Sequence, residues 1–117
     1  MPPEDRIRFQ HILDAAGQAQ QFIAGRQCAD LRRDRQLLFA LVKCVEIIGE
    51  AAAQISTETQ ATCQSIPWPQ IKGMRNRLIH AYFDINIEIV WDTVTDDLPT
   101  LTNQVRAILE RPPGQMH

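Results

Sequence analysis

Between residues 37 and 55, apolar side chains recur as Leu37, Leu41, Val45, Ile48, Ala52 and Ile55, at spacings of three and four. No other feature constrains the fold of this chain as strongly. The spacing lines one face of a helix with 3.6 residues per turn, so the segment following Asp30 to Asp34 should be a core helix. A stripe of that length must be covered by others like it. One is Phe9, Ile12, Ala16, Ala19 and Ile23, on a helix expected from Pro3 to about Gly25 with Glu4 and Asp5 in its first turn. Another is Ile87, Val90, Val94, Leu101, Val105 and Ile108, on a helix that Asp84 or Asn86 can cap and that starts near residues 85–87. No strand-like alternation bounded by turn signals occurs, so the expected class is all-α.

Proline marks the joints at Pro2-Pro3, Pro67, Pro69, Pro99 and Pro112-Pro113. Residues 57–66 read as a polar connection, and a third helix should start at Pro67 or Pro69 and run to about Tyr82. Pro99 lacks an amide hydrogen and should kink the fourth helix or break it, the break giving a fifth. The 117 residues fit one domain spanning 1–117, an up-and-down four-helix bundle. So small a domain gains from a self-associating apolar face. Gly49 and Ala53, beside Lys43, Glu46, Glu50 and Gln54, would admit a close backbone, with packing inside the chain the plainer reading and a dimer seam the other.

The opening MPPEDRIRF is charged and has no apolar core, which points away from a signal peptide or membrane anchor and toward the cytoplasm. Cys28, Cys44 and Cys63 are odd in number and never spaced C-x-x-C, so they read as buried packing thiols. His11 and His117 have no neighbouring ligand spacing, and no metal or cofactor is expected.

The net charge is −2, yet no carboxylate occurs between Glu58 and Asp84, where Lys72, Arg75, Arg77 and His80 fall. A local positive field there suits a phosphate. Asp84, Glu88, Asp92 and Asp96 instead repeat every four residues, a solvated acidic face or a docking strip for a basic partner. The Arg32, Arg33 and Arg35 cluster of a second subunit is one candidate for that strip, and a solvated turn is the plainer role of the cluster.

Arg75 and His80 make an R-x-x-x-x-H pair, followed by Tyr82. If one helix carried the whole string, Asn76 and His80 would face the same way, Arg75 and Tyr82 would nearly superpose, and Arg75 and His80 would diverge by about 140°. The pair could still meet on one phosphate through the long arginine stem, a distorted last turn, or a dimer axis that joins two motifs. The chemistry such a pair supports is attack of a ribose 2′-hydroxyl on the adjacent phosphodiester. His80 serves as general base or acid, and Arg75 neutralises the developing phosphorane charge. Asn76 would orient the imidazole or donate to a phosphate oxygen, and Lys72 and Arg77 would hold backbone phosphate. Trp68 is a core residue or a base-stacking platform. The plainer readings are a helix-end His80 bonding a carbonyl and an Arg75 paired with Glu46 or Glu50.

The run IPWPQIKGMRNRLIHAYFDI, with EIIGEAAAQIS upstream and VWDTVTDDLPTL downstream, resembles the HepT-type toxins of the HEPN superfamily from about Arg6 to Leu109. The resemblance implies a homodimeric, metal-independent endoribonuclease in which Arg75 and His80 are the catalytic pair. It also implies the toxin half of a type II toxin-antitoxin system. Its partner would be a minimal nucleotidyltransferase antitoxin that adenylylates Tyr82. The competing reading is a non-catalytic helical subunit that presents substrate to a separate nucleotidyltransferase, which suits an acidic protein of pI about 5.9.

Overall fold

The computed structural model describes residues 1–79 and 84–111, so the expectations placed on His80, Tyr82 and His117 lie outside the described residues. Helix α1 spans Pro3–Phe22. It stops short of Gly25, whose φ of 75° lets the chain turn away where a side chain would be strained. Helix α2 is the short Asp30–Arg33. Asp34 ends it and caps α3 (Arg35–Gln54), its Oδ1 accepting from the Leu37 amide at 3.0 Å. The expected start of the core helix therefore resolves into a separate turn and a capped helix.

Residues 57–66 are not wholly a connection. Ser56 accepts from the Thr59 amide at 3.2 Å and opens α4 (Thr57–Thr62), a helix that the polar sequence conceals. The single third helix is likewise two pieces, α5 (Trp68–Lys72) and α6 (Met74–Leu78), hinged at Gly73. The fourth rod begins at α7 (Ile87–Asp92), capped by Asn86 Oδ1, which accepts from the Ile89 amide at 3.1 Å. It passes through a π-helical turn, Thr93–Asp97, into α8 (Leu98–Leu109). Pro99 cannot donate to a preceding carbonyl, and the widened turn just before it takes up the mismatch, so the rod is bulged rather than split.

Long-range hydrogen bonds fix the directions of the rods. Asp5, at the start of α1, bonds Ser56, just beyond the end of α3, and Arg6 Nη2 donates to the Leu109 carbonyl at the end of α8 at 3.0 Å. Both α3 and α8 thus run antiparallel to α1. The α5–α6 pair returns along α3, and Gly49 shows the close approach: a Cβ built there would sit 3.5 Å from the Lys72 carbonyl oxygen. The room at Gly49 is used by packing within the chain. The result is an all-α, up-and-down bundle of four rods with two short helices between them, and no strand occurs among the described residues beyond one isolated bridge.

All six members of the α3 stripe are buried, as are Phe9, Ile12, Ala16 and Ala19 from α1 and Val90, Val94, Leu101, Val105 and Ile108 from the last rod. Trp68 belongs to this core, its Nε1 donating to the Cys63 carbonyl at 3.1 Å and its ring 6.0 Å from that of Phe9. Base stacking by Trp68 is ruled out by that burial. Cys44 and Cys63 are buried, Cys28 is half-buried, and all three are free thiols. Burial pushes the Cys28 and Cys44 thiols up, which disfavours the reactive thiolate.

Asp5 is the buried charge among the described residues. Burial raises its pKa, but donation from Ser56 Oγ and Thr59 Oγ1, both at 2.6 Å, and from the Ser56 amide outweighs burial and holds it below 3.8. A carboxyl depressed by folding stabilises the protein above its unfolded value and loses that contribution as pH falls through the folded one. Asp5→Ala should therefore cost about 1–3 kcal/mol in urea unfolding at pH 7, because three donors are left unpaired. The gap from wild type should narrow below pH ~4. A gap that stays constant down to pH ~2 would contradict this role.

Candidate active site

Helix α6 is pinned by Met74 and Leu78, four residues apart and both buried, which leaves Arg75, Asn76 and Arg77 exposed between them. Successive residues turn by about 100°, so Arg75 and Arg77 leave opposite flanks of the helix. Arg75 turns toward α3, where its Nε lies 3.4 Å from Glu46 Oε2. Of the two partners the sequence offered, Glu46 is the one used. The side chains are 51% and 30% exposed, so the pair contributes at most about 1 kcal/mol. It engages the Nε side of the guanidinium and gives the terminal amino groups no partner among the described residues, which leaves them open to phosphoryl oxygens.

Asn76 and Arg77 face the last rod. They line an open cleft of about 530 Å³ together with Ile79, Ile89, Asp92 and Asp97. Lys72 lies apart from both, at the end of α5, donating to Gln60 Oε1 at 2.9 Å. The cations of the carboxylate-free stretch thus point in three directions, and Glu46, Asp92 and Asp97 come from elsewhere in the chain to meet two of them. Asp97 was missed by the sequence reasoning, and only knowledge of how the rods pack could have found it.

The helix ends at Leu78. Ile79 is extended, with φ −121° and ψ 119°, and pairs in an antiparallel bridge with Ile85, while the Asn86 amide donates to the Leu78 carbonyl at 2.7 Å. A helix through the whole motif is therefore corrected. The expected stacking of Asn76 on His80 and of Arg75 on Tyr82 rested on a helical register that ends at Leu78, and both partners lie outside the described residues. β-Branched Ile79 favours the extended form, and the bridge captures it.

The acidic repeat also divides. Glu88 pairs with Arg32 of its own chain, Asp92 faces the cleft, and Asp84 and Asp96 are exposed. Arg33 pairs with Asp30, and Arg35 stacks over Phe39 with its Cζ 4.9 Å from the ring centre. Among the described residues no three His, Cys, Asp or Glu side chains are grouped to hold a metal ion, and no helix is long and apolar enough to cross a membrane.

Arg75 to Ile79, the described part of the R-x-x-x-x-H string, thus sits at the end of a short, pinned helix of an all-α bundle. The Ribonuclease HepT-like family model matches residues 12–108. The chain belongs to that family and, with it, to the ribonucleases. It is 36% identical over 106 residues to the protein named "Putative RNase TTE0752" of Caldanaerobacter subterraneus subsp. tengcongensis, covering 91% of this chain and 95% of that one. Over 72 residues it is 39% identical to "Probable ribonuclease HepT" of Thermococcus cleftensis, covering 62% and 66%. A third relative is "Putative RNase MJ1380" of Methanocaldococcus jannaschii, 29% identical over 97 residues, or 83% and 89% of the two chains. No solved structure matches.

Proposed function

We propose that this protein is a metal-independent endoribonuclease and the toxin of a type II toxin-antitoxin pair. The observation that carries the reading is Arg75, exposed on α6 and held by Glu46 through one edge only, five residues before His80 on a chain that leaves the helix at Ile79. An arginine in this state can meet a phosphodiester without first breaking a buried pair. His80 then takes the proton from the 2′-hydroxyl or delivers one to the leaving 5′-oxygen. Arg75 neutralises the charge on the phosphorane oxygens. The bond from the 2′-oxygen to phosphorus forms as that to the 5′-oxygen breaks, leaving a 2′,3′-cyclic phosphate. Asn76 orients the reacting groups, and Lys72 and Arg77 hold backbone phosphates on either side.

The toxin role, the nucleotidyltransferase antitoxin and adenylylation of Tyr82 are carried by the HepT resemblance. An adenylyl group there would set a bulky anion near the arginine and exclude RNA. Phe39 and Ile47 support the homodimer, being exposed eight residues apart on the outward face of α3 beside Glu46. A protein of this kind is expected in the cytoplasm, where its RNA lies. The test is incubation of the purified protein with total RNA in EDTA. Wild type should cleave and His80→Ala should not, and undiminished cleavage by the variant would refute the mechanism. A folded His80→Ala protein that still binds RNA while wild type is inert would favour the non-catalytic nucleotidyltransferase subunit.

A further inference from the structure

A second open cleft adjoins the one described, and the two share Arg77 and Asp97. It is about 360 Å³ in volume, within the range of small-molecule sites. Its floor is Ile71, Met74 and Leu101, all buried, and its rim carries Gln70, Arg77 and Asp97. The side chains of Arg77 and Asp97 are exposed, and neither makes a hydrogen bond or ion pair among the described residues. Most of the exposed lining is polar, over a small apolar patch, a setting that suits a flat ring with a hydrogen-bonding rim.

Resting on the ribonuclease reading, we infer that this cleft binds the base of a nucleotide flanking the scissile bond, and that the base is guanine. Arg77 stands where the two clefts meet, so it can hold the phosphate of that nucleotide while the base lies over Ile71, Met74 and Leu101. Asp97 then decides which base fits. A carboxylate presents two acceptors side by side, and guanine alone carries adjacent donors, N1–H and the N2 amine, on its pairing edge. Adenine and cytosine each set a ring-nitrogen lone pair next to their amine, and uracil flanks its N–H with two carbonyls. Those acceptors would face the carboxylate and be repelled. Asp92 adds a second negative charge to the adjoining cleft, so a phosphate is favoured at Arg77 and disfavoured deeper in.

The test is titration of the His80→Ala protein with GMP, IMP, AMP, CMP and UMP, followed by calorimetry or amide chemical shifts. GMP should bind about tenfold or more tightly than AMP, CMP or UMP, with IMP, which lacks the N2 amine, in between. Asp97→Asn should erase the preference, weakening GMP and strengthening UMP as the repulsion of its carbonyls is relieved, and Arg77→Ala should weaken all five. Equal binding of the five nucleotides, no detectable binding of any, or a GMP preference that survives Asp97→Asn would overturn the inference. These readouts need no cleavage. Failure of RNA cleavage in EDTA would remove the proposed function and leave a GMP preference standing, whereas cleavage without that preference would remove the base site alone.

Discussion

Arg75→Ala should lower RNA cleavage on the order of a hundredfold or more, the usual cost of removing one donor aimed at a developing oxyanion. The structure supplies an internal contrast for that number. Arg75 touches Glu46 at 3.4 Å across a half-exposed pair, and breaking such a pair costs at most about 1 kcal/mol. Glu46→Gln should therefore reduce cleavage by less than about fivefold and leave the unfolding midpoint nearly unchanged. If Arg75 were only a structural partner of Glu46, the two substitutions would have equal and small effects. Single-turnover rates on one defined oligonucleotide, with urea melts of each variant, separate the cases.

Phe9→Ala should destabilise the protein by about 3–5 kcal/mol, a large part of the ~5–15 kcal/mol available to a domain. Phe9 is fully buried, and its ring meets that of Trp68 at 6.0 Å with a 57° tilt. Trp68 is the first residue of α5, so the cavity opens beneath the element that leads through Gly73 into α6 and Arg75. Loss of packing should reach the site as well. In urea, the variant's midpoint should fall with the slope unchanged, and cleavage should drop further than the unfolded fraction explains. A loss below about 1 kcal/mol would mean that the Phe9 and Trp68 contact does not anchor α5.

The sequence carried the bundle because its three long stripes are strongly periodic and each covers the next. Leu37 through Ile55 needed only their own spacing to be read correctly. The site was less legible, since its shape is set by contacts between distant residues. Leu78 looks like the middle of a helix until the Asn86 amide and the Ile79 to Ile85 bridge end it. Ser56 is an ordinary polar residue in the sequence. It caps α4 through a local bond from the Thr59 amide, and Asp5, fifty-one positions earlier, accepts from its hydroxyl. Charge was legible as a count along the chain and misleading as a map, because Glu46 and Asp97 enter a region whose own sequence has no carboxylate. The choice between Glu46 and Glu50 as the partner of Arg75 depended on how far α5 and α6 run back along α3, which Gly49 sets by letting the α5 backbone come close.

The central claim is that the ribose 2′-hydroxyl is the nucleophile, activated without a metal by the Arg75 and His80 pair. It is tested most directly by reading the fragment ends from the EDTA incubation by mass spectrometry. The account predicts 2′,3′-cyclic phosphate and 5′-hydroxyl ends from wild type and intact RNA from His80→Ala. Ends bearing 3′-hydroxyl and 5′-phosphate, or cleavage that stops when metal is chelated and returns with Mg²⁺, would contradict it.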